Sequence, residues 1–148
     1  MSLCLRYTGG DRPAAEDILQ EGFVTLFSKL EDYRGAGSFE GWARRIFVTT
    51  ALMELRRKDA LKFSEDITEA VKLESSLPDQ LEDLGYAELM KMVGELPDGF
   101  RTVFNLYVVE GYSHKEIARQ LGISEVTSRS QLNRAKAALK EKLKKRNT

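Results

Sequence analysis

Residues 113–132 read SHKEIARQLGISEVTSRSQL, and this passage limits the fold more than any other. A helix start leaves backbone N–H groups without intrahelical partners, and a Ser followed three residues later by a Glu satisfies two of them reciprocally. Ser113 and Glu116 stand in that relation. They predict a helix from Ser113 to Leu121, with Ile117, Ala118 and Leu121 facing inward. The small Ala118 lets the next helix come close. Gly122 suits the left-handed conformation that ends a helix. Ile123 plugs the corner, and Ser124 caps a second helix that runs to about Lys145. This is the sequence form of a helix-turn-helix.

At 100° per residue the second helix has two faces. Leu132, Ala135, Leu139 and Leu143 point to a core. Val126, Ser130, Asn133 and Ala137 lie roughly opposite, flanked by Arg129 and Arg134. Small residues let a helix sink into a major groove about 12 Å wide, where Asn and Arg pair with base edges or phosphates. The tail Lys140, Lys142, Lys144, Lys145 and Arg146 supplies cations for phosphates. The formal charge of the whole chain is zero, but residues 100–148 carry 11 Lys/Arg against 4 Asp/Glu, and residues 59–99 carry 3 against 11. A basic end beside an acidic middle suits a polyanion partner. The plainer alternative is a helical hairpin with a charged tail. His114 reads as a surface member of the capping box, with no nucleophile or metal partner in the pattern around it.

The rest of the chain reads as helical too. Pro13 to Asp17 marks a helix start, with proline early and acids in the first turn. Leu19, Phe23, Leu26, Phe27 and Leu30 then form one apolar stripe. DYRGAGSFEG breaks the pattern with three glycines. A helix over about 39–58 follows, capped by Ser38, with Trp42, Ile46, Thr50 and Met53 stacked on one face and Trp42 as a core anchor. Residues 59–84 are acid-rich and weakly periodic and read as a linker, with a helical piece near 67–73. Beyond them, Tyr86, Leu89, Met90, Val93 and Leu96 form a stripe stopped by Pro97, and Phe100, Val103, Phe104 and Tyr107 form another that ends near Gly111. The expected architecture is all-α, with two small helical domains over 3–58 and 85–146.

Several function classes fall away. One cysteine and one histidine make neither a disulfide framework nor a zinc site, which fits a reducing, cytoplasmic setting. No apolar run approaches the roughly 20 residues that span a bilayer, so no membrane insertion is expected. No Ser/His/Asp set, phosphate loop or pair of catalytic carboxylates is recognisable, so the chain reads as a non-enzyme that needs no cofactor.

The stretch LPDGFRTVFNLYVVEGYSHKEIARQLGISEVTSRSQLNRAKAAL resembles region 4 of the extracytoplasmic-function sigma factors of bacterial RNA polymerase. The earlier stretch AEDILQEGFVTLFSKLEDYRGAGSFEGWARRIFVTTALMELRRK resembles region 2. The resemblance implies that region 2 docks on the clamp coiled coil of core RNA polymerase and melts promoter DNA near the start site. It implies that region 4 reads the upstream element as duplex, and that an anti-sigma factor is a possible further partner. The implied upstream-element residues are Ser124, Val126, Thr127, Arg129, Ser130, Asn133 and Arg134. Asp17, Gln20, Glu21, Val24 and Ser28 are implied to dock on polymerase; a solvated face with one stray valine satisfies those residues equally. Tyr33, Arg34, Ser38, Phe39, Arg45, Thr49 and Arg56 are implied to contact the melted strand. Physically, glycines let backbone approach a nucleotide, and Tyr33 or Phe39 can stack on a base. The chain departs from the family where Thr49 replaces a common Asn, Val126 a usual glycine, Ser128 an apolar residue and Gln131 an arginine. These changes predict a weaker core contact at Ser128 and one phosphate contact fewer at Gln131. The first helix is expected to be short, with Leu3–Tyr7 as its last turns. Two rival readings remain: a helix-turn-helix regulator that dimerises on DNA without polymerase, and a protein-interaction scaffold.

Overall fold

In a computed structural model, which describes residues 1–58, 61 and 85–147, the chain divides into two units, Met1–Ala60 and Leu61–Thr148. Seven α-helices and no strand are found among the described residues, so the fold is all-α. The expected linker, with its helical piece near 67–73, lies outside the described residues apart from Leu61.

The first unit holds α1 (Ser2–Thr8), α2 (Arg12–Ser28), a 3-10 turn (Leu30–Asp32) and α3 (Phe39–Arg57). Asp11 caps α2 by accepting the Ala14 N–H at 3.2 Å, with Pro13 in the first turn. Ser38 caps α3 by accepting the Gly41 N–H at 3.0 Å. The three helices share one core: Cys4 and Tyr7 from α1, Ala15, Ile18 and Leu26 from α2, and Val48, Ala51, Leu52 and Leu55 from α3.

That core corrects the two stripes expected from the sequence. On α2 only Leu26 of the large-residue stripe is buried, while Phe23 is 45% and Phe27 67% exposed. The buried side of α2 is its small-residue side, because close helix contacts favour it. Gly22 shows this: a Cβ there would stand 2.3 Å from the ring of Phe47 on α3. Phe23 instead packs edge-on against Phe47, with ring centroids 5.2 Å apart, and lies against Phe27 at 6.3 Å. On α3, Thr50 is buried but Met53 is 63% exposed. The inward stripe is Val48, Ala51, Leu52 and Leu55, which faces both α1 and α2. Each expectation gave its helix a single apolar stripe, whereas each of the three helices packs against the other two.

The second unit holds α4 (Tyr86–Gly94), α5 (Asp98–Phe104), a π-helical turn (Asn105–Val109), α6 (His114–Leu121) and α7 (Glu125–Arg146). Its core is built from Met92, Val93, Leu96, Val103, Phe104, Leu106, Ile117, Leu121, Leu132, Ala135, Leu139 and Leu143. Tyr86, expected in the first stripe of this half, is exposed. In the π-helical turn the Glu110 N–H reaches the Asn105 carbonyl at 2.9 Å, and Gly111 turns the chain at φ 77°. Arg101 is buried at the α4–α5 corner, where it donates to the Leu96 carbonyl at 3.0 Å and pairs with Asp98. A buried guanidinium is tolerated only with such partners. The foot of α7 is tied to α4 through Lys142–Glu95 at 2.9 Å and Arg146–Glu88. Two cations of the basic tail therefore face acids of the same unit.

Candidate functional site

The helix pair is built as the sequence predicts. Ser113 Oγ accepts the Glu116 N–H at 3.1 Å, and Glu116 Oε2 accepts the Ser113 N–H at 2.8 Å. Gly122 takes the left-handed conformation at φ 66°, where its N–H and that of Ile123 both meet the Ala118 carbonyl. Ser124 Oγ accepts the Thr127 N–H at 3.0 Å and meets the Thr127 hydroxyl at 2.9 Å. Of the seven residues implied for the upstream element, Ser124 and Thr127 thus have hydroxyls engaged in the helix cap. Val126 is 61% exposed, Arg129 is exposed, and Ser130, Asn133 and Arg134 are half-buried along the outer side of α7. Arg129 pairs with Glu125 at 3.3 Å, and both side chains are about half exposed. Such a surface pair is worth about 0–1 kcal/mol, so a phosphate or base edge can displace the carboxylate.

Two expectations in this half are corrected. Gln131 is only 3% exposed, on the core side of α7. The Gln131 side chain therefore packs on the core side of the helix and is not part of its outward face. Ser128 is fully buried, and its hydroxyl meets His114 Nδ1 at 2.8 Å. Its polar atom is therefore satisfied, where an unmet buried hydroxyl costs about 1–3 kcal/mol. His114 is accordingly no surface residue of the capping box. Its ring is half-buried and stacks on Tyr107, with centroids 4.5 Å apart and planes 18° apart. Burial first, and then the nearby cations Arg129 and Lys136, hold its pKa below the usual 6.5, while Glu125 opposes them. The sequence held a faint signal for this pair: Ser128 falls at a core register of the second helix, and a buried hydroxyl needs a partner.

In the first unit Asp17, Gln20, Glu21 and Val24 line one wall of a groove between α2 and α3. Trp42, Arg45, Thr49, Met53 and Arg57 contribute to the other wall. Ser28 is exposed, outside that lining, and donates to the Thr25 carbonyl at 2.8 Å. Glu54 bonds Arg57 at 2.7 Å, which lowers the Glu54 pKa and raises that of Arg57. Asp17 and Glu21 add smaller contributions to the rise at Arg57, so the acidic wall looks across the groove at a cation.

The glycine loop is closed by rings. Tyr33 Oη donates to the Gly37 carbonyl at 2.9 Å, and Gly35 and Gly37 take φ of 74° and 80°. Tyr33, Phe39 and Trp42 form an aromatic cluster with centroids 5.1–5.6 Å apart. Trp42 is therefore half-buried in this cluster beside the groove, which corrects its expected place as a core anchor. Arg34 and Phe39 are exposed, and Ser38 Oγ serves the α3 cap. Arg45, Thr49 and Arg56 are exposed on α3 at helical spacing. Arg56 is not part of the groove lining.

Comparison with known proteins fits this geometry. The family model for Sigma-70 region 2 matches residues 1–61, and that for Sigma-70, region 4 matches residues 86–139. The chain is 32% identical over 155 residues to the ECF RNA polymerase sigma-E factor of Escherichia coli K12, covering 96% of this chain and 79% of that protein. The chain belongs to the ECF RNA polymerase sigma factors. It is also 34% identical over 142 residues to the ECF RNA polymerase sigma factor SigE of Mycolicibacterium smegmatis, a match over 92% of this chain that spans only 54% of that relative. Among solved structures it resembles CnrH, determined in complex with the cytosolic domain of CnrY, with a TM-score of 0.51 and 25% identity over 95% of this chain and 78% of CnrH. In this sigma factor the groove and the aromatic loop fall within the region 2 match, and the helix-turn-helix falls within the region 4 match. No helix among the described residues is long and apolar enough to cross a membrane.

Proposed function

We propose that this chain is a promoter-specificity subunit that joins core RNA polymerase in the cytoplasm and starts transcription, without being an enzyme itself. The observation that carries the reading is the capped helix pair of the region 4 match, whose second helix turns Val126, Arg129, Ser130, Asn133 and Arg134 outward. In the proposed mechanism α7 enters the major groove of the upstream element, Asn133 and the arginines meet base edges and phosphates, and Val126 gives an apolar contact.

Region 2 does the remaining work in this reading. Asp17, Gln20, Glu21 and Val24 dock on a basic, partly apolar surface of polymerase, with Ser28 at the end of the same helix. Arg34, Arg45 and Arg56 follow the strand backbone, Thr49 lies among them, and Phe39 stacks on an unpaired base beside Tyr33 and Ser38. The complex of CnrH with the cytosolic domain of CnrY supports a protein partner for this chain as well, which we expect to be of the anti-sigma kind.

Sedimentation tests the proposal. The chain alone is expected to run as a monomer and to co-sediment with core polymerase. A dimer that grips duplex DNA and ignores polymerase would overturn the reading in favour of an independent helix-turn-helix regulator.

A further inference from the structure

His114 has no part in the roles proposed above, yet its ring joins three elements of the DNA-reading unit. It is the first residue of α6. Its Nδ1 lies 2.8 Å from Ser128 Oγ on α7, and its ring stacks at 4.5 Å on Tyr107 of the π-helical turn. Ser128 is fully buried, and it sits directly beside Arg129 and two residues from both Val126 and Ser130. Any rotation of α7 at this end moves Ser128 and the outward residues together.

We propose that His114 is a positioning residue for duplex reading: through Ser128 and Tyr107 it sets the rotation and tilt at which α7 presents Arg129, Ser130 and Asn133. This rests on the reading of α7 as the helix that enters DNA. α6 packs on α7, and the buried side chains of the two helices include the aliphatic Ile117, Leu121 and Leu132. Aliphatic contacts are non-directional and allow small slides. A hydrogen bond and a ring stack are directional, and base reading requires placement within about 0.5 Å. The capping box fixes only where α6 starts, so it does not replace this contact between helices.

The test first lets the full wild-type chain, alone and joined to core polymerase, enrich duplexes from a randomised library at low salt, where phosphate contacts are strongest. Affinity for the enriched duplex and for the unselected pool is then measured for the wild type, His114→Ala, Ser128→Ala, the double variant and His114→Asn. Each alanine variant is expected to lower the ratio of enriched to pool affinity about tenfold, the size of one misplaced base contact. Pool affinity should stay unchanged. The double variant should lose no more than His114→Ala alone, because that variant already removes the bond to Ser128. His114→Asn places an amide where Nδ1 was and should stay within about threefold of wild type. An unchanged ratio overturns the proposal. So do additive losses, an asparagine variant as poor as the alanine one, or a fall in pool affinity with the ratio intact, which is the mark of a merely softened fold. A wild-type chain that enriches no sequence either alone or joined to core polymerase refutes DNA reading by α7 itself, and this proposal with it.

Discussion

Ser113 and Glu116 were legible because a capping box is a local pattern, complete within four residues. The contact of His114 with Ser128 spans fourteen positions and two helices, and no local rule points across that turn. Its titration gives a prediction. The folded pKa lies below 6.5, so the folded state disfavours the imidazolium and the unfolded chain takes up the proton first. Stability is full above about pH 6.5 and falls as pH drops from there toward the folded value, with no further loss from this group below that value. Thermal unfolding should show a lower midpoint at pH 5.5 than at pH 7.5, and the difference should shrink in His114→Asn. The lowered carboxylates Glu54 and Glu95 act in a separate window, losing their contribution below about pH 4.5. A wild-type midpoint equal at both pH values would contradict the burial of the ring. Gly22→Ala supplies a second residue-scale check. The added Cβ would meet Phe47 at 2.3 Å, so the ring must move, at a cost of about 1–3 kcal/mol seen as a lower midpoint in denaturant. A neutral or stabilising result would mean that α2 and α3 do not approach closely there.

Among the elements, helix positions were legible and helix faces less so. Capping residues and turn glycines mark ends locally: Ser38, Ser113 and Ser124 each accept the N–H three residues on. Which face turns inward depends on how many neighbours a helix has, and that is a tertiary fact. On α7 a single apolar stripe with small and charged residues opposite left no choice, and the prediction of Leu132, Ala135, Leu139 and Leu143 agrees with the structure. On α2 and α3 large apolar residues occupy two sides, so size misled. The exposed position of Phe27 predicts that Phe27→Ser changes stability by less than about 0.5 kcal/mol, against the 3–5 kcal/mol typical of losing a core Phe. The outer wall of α2 predicts a functional effect instead. Replacing both Asp17 and Glu21 by Lys should weaken binding to core polymerase at least about tenfold, while circular dichroism and the unfolding midpoint stay as in wild type. Unchanged affinity would remove this wall from the docking surface.

For the molecule as a whole, two helical units and a charge asymmetry were readable because both are sums over long stretches. Residues 59–99 carry 11 acids against 3 bases, and they repel the polyanion that the basic C-terminal stretch attracts. Lys142 and Arg146 are further engaged by Glu95 and Glu88. The free chain is therefore expected to bind promoter duplex weakly, with an affinity that falls steeply as salt rises. The measurement that bears most directly on the account is in vitro transcription by core polymerase with this chain on a promoter library. The account predicts defined transcripts from a subset of templates, lost when Arg129, Asn133 and Arg134 are all changed to Ala. Polymerase that starts no transcript with this chain on any template would contradict it.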